Sequence, residues 1–582
     1  IAAAMLNVYR WPRRNFKALE VITLVFFAAH FVSTVFLGLS FFVVHGPVLS
    51  NVTLAAMAWG TLLAGSPFTS QYARDDWDES YWDDPSFLRI NGIITAVWGV
   101  VFTANAAMSV MATWLDLAEG VRSWLLVILP NVGIALAIVF SVRFPDLAVR
   151  TELQKHIEAM NPFKWTGPDF KAVRPEGANR HDVIVIGSGI GGLTAAALLA
   201  KRGLKVAVFE QHYQAGGFCS SWTRVVKRGD ERLRYTFDAG VHDVSGLGDH
   251  GPVRNLLKQL DIQDVIDWRH MGHEYRLEGL QLQVPPDCPD GFQRMLAERF
   301  PNERDKIQEF FDIVRSVYRE MYDGVEKTGG VPRPPETVEA LLDYPKTHPH
   351  SLKWGETPYR TMLDRFFQDD QLKEVLLALT GYLGDDPKAL SFEDMVPIFG
   401  YYFDGGYYPV GGSQTLAKAL VKVIEDNGGS VQLKTAVTRI LVEKNRAIGV
   451  TTNEERHLAE AIVANSDVRK TFLELVGPEH LPDGFVHDIE ALRSSTSAFI
   501  VTLGIDCVPD IAPITIVDEV CIATPSLVDP GLAPAGHAAV ELLKLVPRQE
   551  TASWDPRNPE YEGLKRRCGD ELIDAAEKVI TN

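Results

Sequence analysis

Cysteine is scarce in this chain: five residues in 582, Cys219, Cys288, Cys507, Cys521 and Cys568, far apart and with no CxxC spacing. That pattern indicates neither a zinc site nor a disulfide framework and fits a reducing compartment. Positive charge is also in short supply, with 57 Lys and Arg against 75 Asp and Glu and a formal net charge of -18. No nucleic-acid partner is expected on this ground, because phosphate binding needs clustered cations that release counterions. Between Val21 and Ala73 there is no Asp, Glu, Lys or Arg at all. The overall hydrophobic content of 46% is ordinary for a globular protein, so the average conceals a strong asymmetry along the chain.

What is present in the first 150 residues is a series of apolar segments, to be compared with the roughly 20 residues a helix needs to cross a bilayer. Val21 to Val44 qualifies, then His45-Gly46-Pro47 interrupts, and Val48 to about Ala64 makes a shorter second span. Ile90 to Leu115 is a third, and Ser123 to Val142 a fourth with Pro130 inside it. The expectation is an all-α transmembrane bundle of about four helices. Three crossings stay open, since the short second segment ends in Gly65-Ser66-Pro67 and suits a re-entrant loop. A cleaved signal peptide does not fit, because the first span is long and further spans follow. Arg10, Arg13, Arg14 and Lys17 precede the first span, and Arg143, Arg150 and Lys155 follow the last, so both ends are expected on the cytoplasmic side. An even number of crossings satisfies that. The acidic stretch RDDWDESYWDD from Arg74 reads as a solvated loop, with a docking surface as the alternative. His30 and Asn105 are polar groups at membrane depth, and interhelical hydrogen bonding is expected of them rather than a proton relay.

Residues 161–179, NPFKWTGPDFKAVRPEGAN, are rich in Pro, Gly and charge and read as a linker. Beyond it, DVIVI from Asp182 is a β-branched run suited to a buried parallel strand. Gly187, Ser188, Gly189, Ile190, Gly191 and Gly192 then supply G-x-G-x-x-G, and the helix-forming LTAAALLAKRG closes at Gly203. The first glycine permits the tight turn, the second lets a pyrophosphate approach the backbone, and the third lets the helix pack on the strand. A second strand, KVAVFE, ends at Glu210, where a carboxylate meets the ribose hydroxyls of an adenosine. Strand, glycines, helix, strand and acid in register point to dinucleotide binding.

The residues that follow carry a resemblance. EQHYQAGGFCSSW from Glu210, with FDAGVH from Phe237, resembles the flavoprotein family of phytoene desaturases, carotenoid isomerases and all-trans-retinol 13,14-reductase, within the wider glutathione-reductase-like superfamily. YYPVGGSQTLAKALVKVIEDNGGSVQLKTAVTRILVEK from Tyr407 matches a second family block, and AIVANSDVRKTF from Ala461 continues it through Asn465. The resemblance implies FAD as cofactor, with Glu210, Gln211, Gly216 and Gly217 near it. It also implies Asp238-Ala239-Gly240 beside the isoalloxazine and Val437 holding the adenine end through its backbone.

The fold implied is α/β: a glutathione-reductase-like FAD-binding Rossmann domain in two parts, 181–255 and 406–480, with a β-meander in which VQLKTAV and RILVEK alternate. A mixed α+β substrate domain takes 256–405 and 481–582, after a transmembrane domain at 1–150 and a linker at 151–180. PNERDKIQEFFDIVRSVYREM from Pro301 is its amphipathic helix. The aromatic group Tyr401, Tyr402, Phe403, Tyr407 and Tyr408 suits either the lining of a polyene tunnel or a packed core. The family's closing glycine-containing segment over the flavin has no counterpart before EKVITN, so the given chain is expected to be incomplete, or a partner subunit to supply that wall.

The expected function is that of a membrane-bound FAD-dependent oxidoreductase acting on carbon-carbon double bonds of an apolar isoprenoid, carotenoid or retinoid-like lipid. Such substrates dissolve in a bilayer, so the partners are a lipid bilayer and an apolar lipid substrate, with the FAD domain on the cytoplasmic side. His242 and Asp243 are the catalytic candidates, His242 as proton donor or acceptor. Burial is expected for Cys219 rather than attack on the flavin. NAD(P)H is one candidate electron donor and a quinone another. Two other classes stay open: an amine-oxidase-like flavoenzyme, and a catalytically inactive scaffold or assembly subunit of a membrane complex.

Overall fold

The computed structural model describes residues 17–39, 41–75, 82, 85–160, 179–249, 251–284, 290–325, 332–383, 390–453, 455–493, 495–547 and 553–580. The chain divides into two compact units, Ile1–Phe163 with Glu336–Leu341, and Lys164–Pro335 with Leu342–Asn582.

The first unit is helical: α1 (Ala18–Phe31), α2 (Gly46–Leu63), α3 (Pro85–Trp114) and α4 (Leu129–Met160). By length and composition, four helices among the described residues are able to cross a membrane, Ala18–Phe36, Gly46–Leu63, Pro85–Trp114 and Glu119–Lys155. Two expected boundaries change. The segment Val21 to Val44 is not one span, because a π-helical turn at Val32–Phe36 ends α1 and Gly38, at φ +65°, redirects the chain before a separate helix at Phe41–Val44. Pro47 does not delay the second helix but lies in its first turn, where a missing N–H leaves nothing unpaired. Another π-helical stretch, Trp124–Ile128, accommodates Pro130 in the fourth span.

Helices α2 and α3 approach closely because Gly99 presents no side chain: a Cβ there would sit 2.8 Å from the Trp59 ring. Trp59 donates to Thr103 at 3.1 Å and Trp98 to Ser141 at 2.9 Å, bonding helix to helix. The two residues expected to do this do otherwise. Asn105 is buried, but its amide nitrogen has no partner among the described residues. The His30 ring lies against Phe26 and Phe42. Of the acidic loop, only Arg74, Asp75 and Trp82 are described, and Lys17 pairs with Asp75. Helix α4 runs through Met160, so residues 151–160 of the expected linker are helical, and 161–178 lie outside the described residues.

The second unit is built on a six-stranded sheet in the order β10-β11-β12-β1-β2-β9. Its strands come from two distant stretches: β1 (Arg180–Ile186) and β2 (Val206–Phe209) from one, and β9 (Ser430–Gln432), β10 (Val437–Glu443), β11 (Arg446–Thr452) and β12 (Arg456–Ala464) from the other. β1 pairs in parallel with both β2 and β12, and it reads as a continuous apolar run because both its faces are covered. α5 (Ile190–Lys201) and α7 (Gln414–Asp426) share the core on one face. VQLKTAV is not a single meander strand: β9 joins β2 in parallel, Lys434 turns the chain at φ +56°, and only β10, β11 and β12 form the antiparallel meander.

A second sheet runs β13-β16-β15-β14-β6-β7, combining β6 (His273–Leu277) and β7 (Leu280–Gln283) with β13 (Ser497–Ile505), β14 (Ile514–Val517), β15 (Val520–Ala523) and β16 (Ala538–Val546). Two short ladders, β3 (Ser221–Arg228) with β4 (Glu231–Asp238) and β5 (Trp268–His270) with β8 (Tyr407–Pro409), sit between the sequence blocks of the sheets. A helical core surrounds α6 (Arg304–Tyr322), where Phe310, Phe311, Tyr359, Phe392 and Phe399 are fully buried or nearly so.

Candidate functional site

The turn after β1 is shaped by what glycine lacks. Gly187 has φ +92°, and a Cβ there would lie 2.5 Å from the Asn465 carbonyl oxygen. A Cβ on Gly192 would enter the carbonyl oxygen of Gly187, and one on Gly191 would sit 3.0 Å from the Asn465 amide. Gly189 is the N-cap of α5, which has no side-chain cap among the described residues. The start of a twelve-residue helix is thus open to an anion. Asn465 braces this turn: its N–H bonds the Ile186 carbonyl at 2.8 Å, and its side-chain oxygen accepts the Gly192 N–H at 2.9 Å.

Gly216 and Gly217 come alongside. Gly216 donates to the Ser188 carbonyl at 2.9 Å, and a Cβ on Gly217 would lie 3.2 Å from Gly189 Cα. Both have positive φ. Glu210, at the end of β2, accepts the N–H and hydroxyl of Ser188 at 2.8 and 2.7 Å and the His212 N–H at 2.8 Å. Burial raises its pKa, but these hydrogen bonds outweigh burial, and the carboxyl is held below its ordinary value. An ionised carboxylate has about four acceptor positions, so Glu210 keeps capacity for ribose hydroxyls. Thr435 donates to the Glu210 carbonyl and Lys434 to that of His212, which brings the start of β10 at Val437 toward the same end. Gln211 is exposed, and Ile190 packs into the core under α5. The sequence candidates Gly187, Ser188, Gly189, Gly191, Gly192, Glu210, Gly216, Gly217 and Asn465 therefore meet at the ends of β1, β2 and β12.

Asp238 ends β4 and is 2% exposed. Its carboxylate accepts from Ser221 Oγ at 2.6 Å, from Ser413 N and Oγ at 2.9 and 2.7 Å, and from the Tyr408 hydroxyl. It ties the hairpin to the turn before α7, so its side chain is structural. Gly240 packs on the Phe218 ring.

His242 and Asp243 are adjacent in sequence but reach different partners. Asp243 takes His273 Nε2 at 3.1 Å, both groups being buried. His242 Nδ1 lies 3.0 Å from Glu541 Oε2, an ion-pair distance. His242 Nε2 is buried with no partner among the described residues, as is Glu541 Oε2 apart from this contact. Buried nitrogens are normally satisfied, so this corner suits a ligand that completes it. Burial lowers the His242 pKa, but the contact and charge of Glu541, with Asp243 and Asp238 behind it, raise it by more.

Sequence reasoning missed Glu541 and His273. The signal for Glu541 was present, since AAVELLKLV is a strand with one acid at the centre of an apolar run. Nothing local marked His273. The aromatic group resolves toward core: Tyr402 bonds the Tyr275 hydroxyl and stacks on Phe292, Tyr408 bonds Asp238, and Phe403 packs edge-on to Tyr318. Cys219 is buried and donates to the Ser413 carbonyl, with burial pushing its pKa up to about 11, which leaves an inert thiol.

A family model described as flavin containing amine oxidoreductase matches residues 190–551. The all-trans-retinol 13,14-reductase of Danio rerio is 26% identical over 339 residues, covering 56% of this chain and 54% of that protein. Prolycopene isomerase 2 of an Oncidium hybrid cultivar is 25% identical over 448 residues, covering 71% and 72%. An oxidoreductase of known structure from Methanosarcina mazei is 19% identical with a TM-score of 0.49, covering 68% of this chain and 84% of that one. The chain thus spans about half the length of the retinol reductase and nearly three quarters of the isomerase.

Proposed function

The chain belongs to the flavin-containing amine oxidoreductase family, and from that premise we propose that it is a membrane-bound FAD-dependent oxidoreductase acting on carbon-carbon double bonds of an apolar polyene. The observation that carries the reading is the cradle of Gly187, Gly189, Gly192, Gly216 and Gly217 at the uncapped start of α5, with Glu210 beside it. Those residues fit an FAD diphosphate and ribose. The substrate class rests on relatives named for retinol and prolycopene, and the four apolar helices suit a chain held in the bilayer in which such a molecule dissolves. The cation distribution around those helices supports a multi-pass arrangement with the flavin unit on the cytoplasmic side.

A bound flavin supplies hydride exchange with a carbon-carbon bond. The residues of the chain do the rest. The amides at the start of α5 would hold the diphosphate, Glu210 would accept from the ribose, and the residues after β4 would lie on the side of the ring system. His242 Nε2 gives or takes the proton that accompanies the hydride. NAD(P)H is the electron donor to test first.

The test is the visible spectrum of the protein purified in mild detergent. Flavin bands at near-equimolar amount, bleached by reductant and restored anaerobically by a retinoid or carotenoid, are expected. His242→Ala should keep the bands and lower turnover by about 10²- to 10⁴-fold. The family's own description favours amine oxidation as the second reading. Peroxide formed from amines and oxygen, with no response to polyenes, would overturn the first in favour of it.

A further inference from the structure

Glu541 occupies the middle of β16 and is 1% exposed. A carboxylate at such a place is costly unless other groups compensate it. Its Oε1 accepts the Asp238 N–H at 2.6 Å, which fixes the carboxylate plane against the end of β4. Its Oε2 is the atom 3.0 Å from His242 Nδ1. A pair serving only to hold the strand and turn together would be expected to satisfy both ring nitrogens. Among the described residues neither ring nitrogen has a hydrogen-bond partner: Nδ1 has only the charge contact with Glu541, and Nε2 is buried with none.

The surrounding charges are matched within separate groups. Asp238 on β4 is taken by hydroxyls and an amide, and Asp243 by His273 of β6. Cys521 of β15 and Tyr408 of β8 also face this corner, and burial raises both, the thiol to about 12 and the phenol well above its ordinary range. Neither ionises near neutrality. Burial raises the Glu541 pKa above its ordinary value, and His242 is the group that most opposes that rise.

We propose that Glu541 is the positioning residue for proton transfer: it turns the His242 ring, keeps a proton at Nδ1, and leaves Nε2 to meet the substrate. This rests on the reading that His242 exchanges the proton. Removing the Glu541 charge while keeping its oxygen on Asp238 leaves burial to act on the imidazole with less opposition, so the titration of His242 must move down.

The measurement is ¹³Cε1-histidine NMR of the full chain in detergent, without substrate, with His242→Asn identifying the resonance. The wild-type midpoint is expected above the ordinary 6.5, since Glu541 raises it. Glu541→Gln should move it down, and Glu541→Asp should return most of the shift. In the flavin-loaded enzyme Glu541→Gln should lower kcat about 10- to 100-fold and displace the pH optimum downward, leaving flavin content unchanged. Equal midpoints in wild type and Glu541→Gln overturn the proposal. If Glu541→Gln does not fold, a wild-type midpoint below 6.5 overturns it and one above supports it. Turnover of polyenes is read separately. A shifted midpoint without polyene turnover defeats the substrate reading and leaves Glu541 holding His242, whereas turnover with an unmoved midpoint defeats only the role of Glu541.

Discussion

In the helical unit Phe27, Phe36 and Val142 stand 62%, 73% and 73% exposed, whereas in the sheet-bearing unit Phe310, Phe311 and Phe399 are at most 1% exposed. The proposed placement of the helical unit in a bilayer accounts for the difference, because the two units then meet different solvents. In hydrocarbon there is no gain from hiding an apolar side chain, so helices associate through small residues and a few hydrogen bonds, as at Gly99, Trp59 and Thr103. In water the apolar residues drive the packing, and the polar groups taken inside must be paired. Asp238 meets that condition with four donors to its carboxylate. Among the described residues Glu541 and His242 meet it only in part, as do His181, Trp268, His457 and Thr524, and what sets Glu541 and His242 apart is that their unpaired atoms face each other at 3.0 Å.

The comparison breaks most sharply at the phosphate turn. Gly192→Ala puts a methyl group into the Gly187 carbonyl oxygen, so the purified variant is expected to lose more than 90% of its flavin absorbance while its transmembrane helices still insert. Retention of full flavin would remove the turn from the cofactor site. Next in size, Phe310→Ala in the helical core should destabilise the sheet-bearing unit by about 3–5 kcal/mol, measured by denaturant unfolding.

Titration offers a third handle. His181, buried at the start of β1, has its pKa lowered to about 4 from 6.5, chiefly by burial and then by the charges of Lys205 and His457. The unfolded chain therefore takes up the proton first as pH falls. The contribution to stability is whole above pH 6.5 and declines as pH drops through about 4, by at most about 3 kcal/mol. His181→Leu should flatten that decline in thermal melts of the sheet-bearing unit. The smallest effect belongs to the helical unit, where Trp59→Phe removes the bond to Thr103 and should cost only about 0.6 kcal/mol in a detergent unfolding assay. A loss as large as that at Phe310 would show that the helical unit packs like a water-soluble core.

The glycine turn, the strand that precedes it and Glu210 were legible because each depends on neighbours within a few residues: positive φ, β-branched runs and a helix start leave local marks. Four apolar spans were legible for the same reason, although the end of the first was misjudged, since Gly38 and the π-helical turn at Val32–Phe36 carry no charge to announce them. VQLKTAV misled because alternation alone does not say which partner a strand joins, and β2 took its first residues into a parallel pair.

By itself, then, the amino-acid order determined where the long apolar segments lie and the local geometry of the glycine turn. The tertiary structure alone decided that Glu541 of β16 stands 3.0 Å from His242, that Asp243 turns away to His273, and that Asp238 is a tie between hairpin and helix. These contacts join residues far apart in sequence, and their energies depend on burial, which only the packed chain creates.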